Sequence, residues 1–402
     1  MQKKKRWLCI IVCVILTVII CRGIKSVIDQ KRFAAMPCKF VMPEEFSLPD
    51  SRLVAVGTAT HGNGDPFVAV LAVLREMYAA HGGAALILEE NVGDAETVGL
   101  QHAYSGELAQ NAGYYLIYEN REMYDILQWL ETHNQRLYGI DIQNIQPAAD
   151  KLCSRLTELG LTAAKDVTLA TTSEETAEQN LPFLDEIDEF LKNLYDDNTL
   201  SKQEYCYLLH QVDCIRQNYE YRLAGNQHFD IRDKRMAKNT AWVMDYEQEF
   251  YGNDYAVLLA SNGHVVKTAW RYANEYVDGT FYPAGATLGK NLGEDYFVII
   301  TEAAESYFVA GIGNGQTRQK IFHINRRDLP LAVNGCGYFT AQELLDMGHT
   351  SWDMTMVGAA TTDMQTWDKK WYAIPMPVPD SLGLSQILCK HRNAVQNRAK
   401  II

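Results

Sequence analysis

Five short apolar runs stand out along the chain, at residues 52–57, 84–89, 136–141, 255–260 and 296–301. Each is bounded by polar or turn residues. Runs of this length predict strands buried on both faces, the kind from which parallel sheets are built. Helical spacing of apolar positions follows over 66–80, 95–104 and 122–133. The alternation predicts an α/β fold: a mainly parallel central sheet flanked by helices. Residues 147–250 read differently. They hold no strand-like run but four long amphipathic stretches, 148–159, 174–194, 201–223 and 232–250. These predict a helical lobe inserted between strands three and four. The core is then expected over 46–146 and 251–402, with 147–250 as the lobe. Tyr205, Tyr207, Tyr219 and Tyr221 of the lobe are read as helix packing rather than as a ligand-stacking surface. There is no internal repeat and no low-complexity tract.

The N-terminus has its own pattern. Lys3 to Arg6 form a basic block, and Trp7 to Cys21 follow with only Thr17 polar. A membrane span needs about 20 apolar residues, with a lower limit near 17. The run reaches that length if Arg22 snorkels, and no small-x-small cleavage site follows it. The expectation is an uncleaved signal anchor over 7–24, with 1–6 as a basic cytoplasmic tail and 25–45 as a linker. The body would sit on the extracellular side of the cell membrane.

With 402 residues and 47% hydrophobic content, the chain is long enough for a large core. The net charge is −13, and it is carried unevenly. Residues 33–402 hold 29 basic against 49 acidic groups, a net of −20. Such a body repels phosphates, which excludes nucleic acid as its main partner. Cys38, Cys153, Cys206, Cys214, Cys336 and Cys389 are scattered through it with no CxxC spacing. Zinc ribbons and thioredoxin-type motifs are thereby disfavoured. Disulfides and buried free thiols both remain open.

There is no HExxH, no GxSxG elbow and no EF-hand loop. Gly285 to Asn291 has a P-loop flavour but fails on glycine spacing and on the missing hydroxyl at Asn291. The chemistry gathers instead at strand ends. Strand one ends in Gly57-Thr58-Ala59-Thr60-His61-Gly62, strand two in Leu88-Glu89-Glu90-Asn91, and strand four in Ser261-Asn262-Gly263-His264. A parallel sheet delivers such residues to one cleft. His61 suits a general base, Glu89 could orient it, and His264 could donate to a developing oxyanion. Each has a bland reading beside it: His61 as a satisfied buried residue, Glu89 as a structural partner of Arg232, His264 as a turn cap. Together they suggest hydrolysis by activated water. Thr58, Asp65, Glu90, Asp141, Arg232 and Ser261 are the candidate binding residues around them.

At these residues the chain resembles the erythromycin esterase-like proteins. The first motif, roughly Gly-Glu-x-Thr-His-Gly, is matched by Gly57 to Gly62, and Leu-Glu-x-Asp/Asn by Leu88 to Asn91. Gly-x-Asp is matched by Gly139-Ile140-Asp141, and Arg-Asp-x-x-Met-Ala-x-Asn by Arg232 to Asn239. His-Asn-x-His is matched by Ser261 to His264, and Gly-x-x-Tyr by Gly293 to Tyr296. The matches run in order over about residues 50–305. The resemblance implies an α/β core with a helical lobe, a cleft between them, and hydrolysis of macrolide lactones with the motif His as base on water. The departures fall in the site. The carboxylate of the first motif is Thr58 here, the basic residue nine after His61 is Val70, the first His of the fourth-strand motif is Ser261, and a basic residue near Tyr118 is Glu119. Two functions stay open: a hydrolase of a small-molecule ester or lactone without cofactor, and a degenerate binding protein that keeps the cleft. A third reading makes His61, Glu89 and His264 ligands of a divalent metal.

Overall fold

The computed structural model of the chain describes residues 2–35, 48–62, 64–93, 118, 121–224, 228–273, 278–312, 319–326, 340–357, 360–361, 365–366, 369–377 and 387–392. In chain order its first strands are β1 (Leu53–Thr58), β2 (Ala85–Asn91), β3 (Leu137–Asp141) and β4 (Ala256–Ser261). A hairpin of β5 (Trp270–Ala273) with β6 (Asp278–Phe281) follows, and then β7 (Tyr296–Ile312). Five of these make a parallel sheet in the order β7-β1-β4-β2-β3. All five predicted strands are present. Their starts agree within one residue, and β7 runs on eleven residues past the predicted end.

The helices are α1 (Gln2–Ala35), α2 (Asp65–His81), α3 (Arg121–Thr132), α4 (Gln146–Glu158), α5 (Glu174–Asp196), α6 (Lys202–Leu223), α7 (His228–Tyr251), the single turn α8 (Asn262–Val265), α9 (Ala284–Leu292) and α10 (Ala341–Asp346). Alternate side chains of each strand feed opposite faces of the sheet. Val54, Val56, Leu86, Leu88, Val257 and Leu259 pack on one face under α2 and α3, with Val70, Leu74, Ile126 and Leu130. Leu53, Ala55, Ile87, Leu258 and Val298 pack on the other, under α7 and α9, with Met236, Val243 and Leu288. Burial on both faces is what made the strand sequences read as unbroken apolar runs. Each fully buried Leu, Ile or Val is worth about 1.5–3 kcal/mol.

Helices α4 to α6 close a separate core around Leu152, Leu156, Leu184, Ile187, Val212 and Ile215. Ser173 and Ser201 accept the third backbone N–H of α5 and α6 and so start each helix. The lobe tyrosines serve packing: Tyr219 Oη donates to Leu169 O at 2.6 Å, and Tyr205 stacks on Tyr195. Helix α7 has a different role from the other three. It lies on the sheet and carries Arg232 and Asp233 to the strand ends.

The tail adds β8 (Gln319–Asn325), antiparallel to β7, and β9 (Ser351–Thr355), which pairs with β11 (Ala373–Pro377). The short β10 (Ala360–Thr361) and β12 (Ile387–Arg392) run parallel to β7. None of these was predicted. The helix expected over 95–104 lies outside the described residues. Of the body cysteines, Cys153, Cys206 and Cys214 are free thiols, and Cys38 and Cys336 lie outside the described residues.

The expected span 7–24 falls within α1, which continues to Ala35 over the first part of the expected linker. Among its described side chains, Trp7, Ile10, Ile15, Ile20, Ile24 and Ile28 are exposed. Among the described residues no helix is long and apolar enough to cross a membrane. The fold therefore gives the expected span no support.

Candidate active site

The parallel strands end on one side of the sheet, and the candidate residues arrive there from four of them. After β1 the chain turns sharply at Gly62, whose φ of 78° is the left-handed region that favours glycine. The turn is pinned by the tail: His61 N–H donates to Val357 O at 3.3 Å, and Val357 N–H to Ala59 O at 2.9 Å. Gly57 lies against Asn262, where a Cβ would come within 2.4 Å of Asn262 Oδ1. After β4 the turn α8 presents His264. It is fixed by Asn262 Nδ2, which donates to Thr301 O and Thr355 O at 3.1 Å each, and by Trp270 Nε1, which donates to Gly263 O.

Arg232 sits at the centre of a buried ionic cluster. Its Nε and Nη2 donate to the two oxygens of Asp141 at 3.0 and 2.7 Å. Nη2 also donates to Glu89 Oε1 at 2.8 Å. Glu89 Oε2 accepts the Ser261 N–H at 2.8 Å. His264 lies between two carboxylates, Nδ1 at 2.7 Å from Asp233 Oδ1 and Nε2 at 3.3 Å from Glu89 Oε1. Asp233 Oδ1 further accepts the Ala284 N–H at the start of α9.

These contacts set the protonation states. Burial alone would lower His264, but Asp233 and Glu89 outweigh it and push the imidazole up to about 10. The two carboxylates favour the charged imidazole, while Arg232 Nη1, a donor 3.0 Å from its Nε2, works against that charge. Burial would raise Glu89, but His264, Arg232 and His61 hold it well below the usual carboxylate range. Burial pushes the Asp233 carboxyl up, against His264 and Arg232.

His61 is a contrast. Burial lowers its pKa, against the pull of Glu89, so the ring is neutral near pH 7. Its Nδ1 is buried and has no hydrogen-bond partner among the described residues, and the same holds for Thr58 Oγ1. Both residues line a cavity of about 10 Å³, shared with Thr60, Phe67, Glu89, Tyr118 and Leu259. That is close to the room one water molecule needs.

The structure therefore brings Glu89, Asp141, Arg232 and His264 into one bonded cluster. It places His61 and Thr58 beside it, across the cavity that Glu89 also lines. It does not make Glu89 the orienting partner of His61, because both Glu89 oxygens are engaged elsewhere. Glu89 is bonded to Arg232 instead. Nor is His264 free to donate to an oxyanion, with both nitrogens held. Ser261 takes part through its backbone. Glu90 is buried, and its Oε1 accepts the Asn91 N–H at 2.7 Å. Asp65 opens α2, and its side chain lies outside the described residues, as does Glu119. Val70 is part of the apolar core under α2.

Sequence reasoning missed two participants. Asp233 stands next to Arg232 in the matched Arg-Asp motif, and an acidic pair-mate on a helix facing the sheet was the available signal. Tyr118, whose Oη donates to Glu89 O at 2.9 Å, comes from a stretch with no periodic pattern to place it.

Among the described residues no group of three His, Cys, Asp or Glu side chains is placed to hold a metal ion. The donor chemistry of the proposed set does not fit one either. His264 has its nitrogens at Asp233 and Glu89, and Glu89 is held by Arg232 and the Ser261 N–H.

Comparisons with known proteins agree on the architecture. The family profile described as Erythromycin esterase matches residues 79–326, more than half of the chain. A search of curated protein sequences finds no match. Among solved structures, a Bacillus cereus protein is 16% identical, with a TM-score of 0.65 over 86% of this chain and 90% of its own. A structure described as a succinoglycan biosynthesis protein is 14% identical, with a TM-score of 0.66 over 86% and 88%. A mutant of the erythromycin esterase EreC in its open conformation is 14% identical, with a TM-score of 0.59 over 86% and 92%. At these identities the three structures are alike in fold.

Proposed function

The chain belongs to the erythromycin esterase family, and from that premise we propose that it is a hydrolase cleaving an ester or lactone with water activated by His61. Family membership supports the hydrolase-like function and a small-molecule substrate. The observation that carries the finer reading is His61 itself: buried, its pKa lowered, its Nδ1 without a partner among the described residues, beside a cavity of one water's size. A neutral imidazole is the form a general base requires. In this reading the Arg232 cluster exchanges no proton. It fixes the strand ends and supplies a preorganised field beside the reacting group.

The test is hydrolysis of a panel of aryl esters and lactones by the full chain and by His61→Asn. The expected result is turnover that falls about 10²- to 10⁴-fold in the variant. Turnover that His61→Asn leaves unchanged removes the reading. A binding protein without turnover is the second reading, favoured by Thr58 at the position of the family's carboxylate. Ligand binding by the full chain with no product over the whole panel would establish it.

We further propose that residues 7–24 anchor the chain in the cell membrane with the body outside. The support is the apolar run Trp7–Cys21 behind Lys3 to Arg6. After alkaline carbonate washing the full chain should remain with the membranes and be open to added protease. Release into the wash would end this proposal.

A further inference from the structure

Two residues that line one small space beside the ionic cluster each carry a buried polar atom without a partner among the described residues. Thr58 is 7% exposed and His61 8%, so both side chains are more than nine-tenths buried. Thr58 Oγ1 and His61 Nδ1 each lack a hydrogen-bond partner among the described residues, while both residues line the cavity of about 10 Å³. An unpaired buried polar group is costly, and native structures resolve such costs with a bound water when the space is polar and large enough. Here two such groups share a space that holds one water. The remaining lining combines the apolar Phe67, Leu259 and Ala260 with the polar residues Thr60, Glu89 and Tyr118.

We infer that Thr58 Oγ1 and His61 Nδ1 together hold one water molecule, and that this water is the nucleophile. The inference rests on the hydrolase reading above and adds a residue to it. Thr58 is then a positioning residue that takes over, as a hydroxyl, a place where the resemblance expects a carboxylate. The geometry requires a hydroxyl at residue 58: its O–H donates to the water oxygen, and the water donates to the Nδ1 lone pair of the Nε2–H tautomer. In the reaction the water O–H proton passes to His61 Nδ1 as the water oxygen bonds to the acyl carbon. The tetrahedral intermediate then expels the alkoxide oxygen, which takes that proton back from His61. An acid and an alcohol are released, and the imidazole returns to its neutral form. Thr58 keeps its own proton throughout, so its contribution is orientation alone.

The experiment pairs crystal structures of the full chain, Thr58→Val and Thr58→Ser with steady-state kinetics on the ester that the full chain turns over best. Valine matches threonine in shape without the hydroxyl. The expected structures show one water within about 2.6–3.2 Å of both Oγ1 and Nδ1 in the full chain, its retention in Thr58→Ser and its loss in Thr58→Val. The expected kinetics are a 10- to 100-fold fall in kcat with KM unchanged in Thr58→Val, largely restored in Thr58→Ser. A dry cavity, or a water that touches only one of the two atoms, overturns the inference even in an active enzyme. So does a Thr58→Val variant with full kcat. If no ester or lactone is turned over, the hydrolase reading and the nucleophile role fail together, and the crystal structures still decide whether the two residues bind water.

Discussion

Two neighbouring regions at the same sheet edge are built on opposite terms. In the ionic cluster, Glu89, Asp141, Arg232 and His264 are tied to one another by several charged contacts. Beside the adjoining cavity, Thr58 Oγ1 and His61 Nδ1 have no hydrogen-bond partner among the described residues. A group that spends all its hydrogen bonds on the protein is held in place, and it has none left for substrate or water. A group with an unspent bond on a cavity can act on what enters it. The difference separates scaffold from chemistry among residues that the sequence alone presents as one set. The proposed function puts His61 on the chemical side, and Glu89 and His264 on the supporting side.

The largest effect should come from breaking the cluster at its hub. Arg232→Met removes the bidentate partner of Asp141 and a partner of Glu89, and leaves buried carboxylates uncompensated. A loss of about 3–5 kcal/mol is expected, measured by denaturant unfolding. Arg232→Lys keeps the charge but not the planar fork, and its loss should be smaller, about 1–3 kcal/mol. A Met variant as stable as the parent would mean that the cluster is not the scaffold described. The cavity side should respond in the reverse manner, with turnover lost in His61→Asn and little change in unfolding.

The sheet was legible because its strands are buried on both faces, so that Leu53–Thr58 and Ala85–Asn91 read as apolar runs whatever lies above or below them. The polar residues closing those runs marked the site for the same reason. Pairing within the site was not legible. Glu89 lies between His61 and Arg232 in space, and only the position of α7 decides that it bonds the arginine. The tail was illegible for a different reason. Beyond Ile300, β7 carries the buried polar residues Thr301, Glu302 and Ser306, which interrupt its apolar pattern. Thr301 and Glu302 are accommodated by contacts far along the chain: Thr301 Oγ1 donates to Gly57 O at 2.6 Å, and the Thr355 N–H donates to Glu302 Oε1 at 2.6 Å. Local patterning carries no trace of such partners. Thr58 illustrates the remaining limit: the sequence showed a missing carboxylate, but not that Thr58 and His61 line one small cavity.

Smaller effects follow from pH, and they sharpen the contrast because the two regions respond at opposite ends of the scale. His264 has a folded pKa raised to about 10 from an ordinary value near 6.5. Its stabilisation is complete below pH 6.5 and is lost as pH rises through about 10. Unfolding free energy should therefore fall by about 1–3 kcal/mol between pH 7 and 10, and His264→Gln should flatten that slope. Glu89, depressed in the fold, contributes above the ordinary carboxylate range, and its share is lost only as pH falls through its lowered value. His61 is shifted downward by burial, so it stays neutral to below pH 6.5. The acid limb of kcat/KM should accordingly begin below pH 6.5 and fall about tenfold per pH unit once His61 takes up a proton. An acid limb centred above 6.5 would require a His61 that is stabilised in its charged form. That would place a carboxylate in contact with it and merge the two regions that the structure keeps apart.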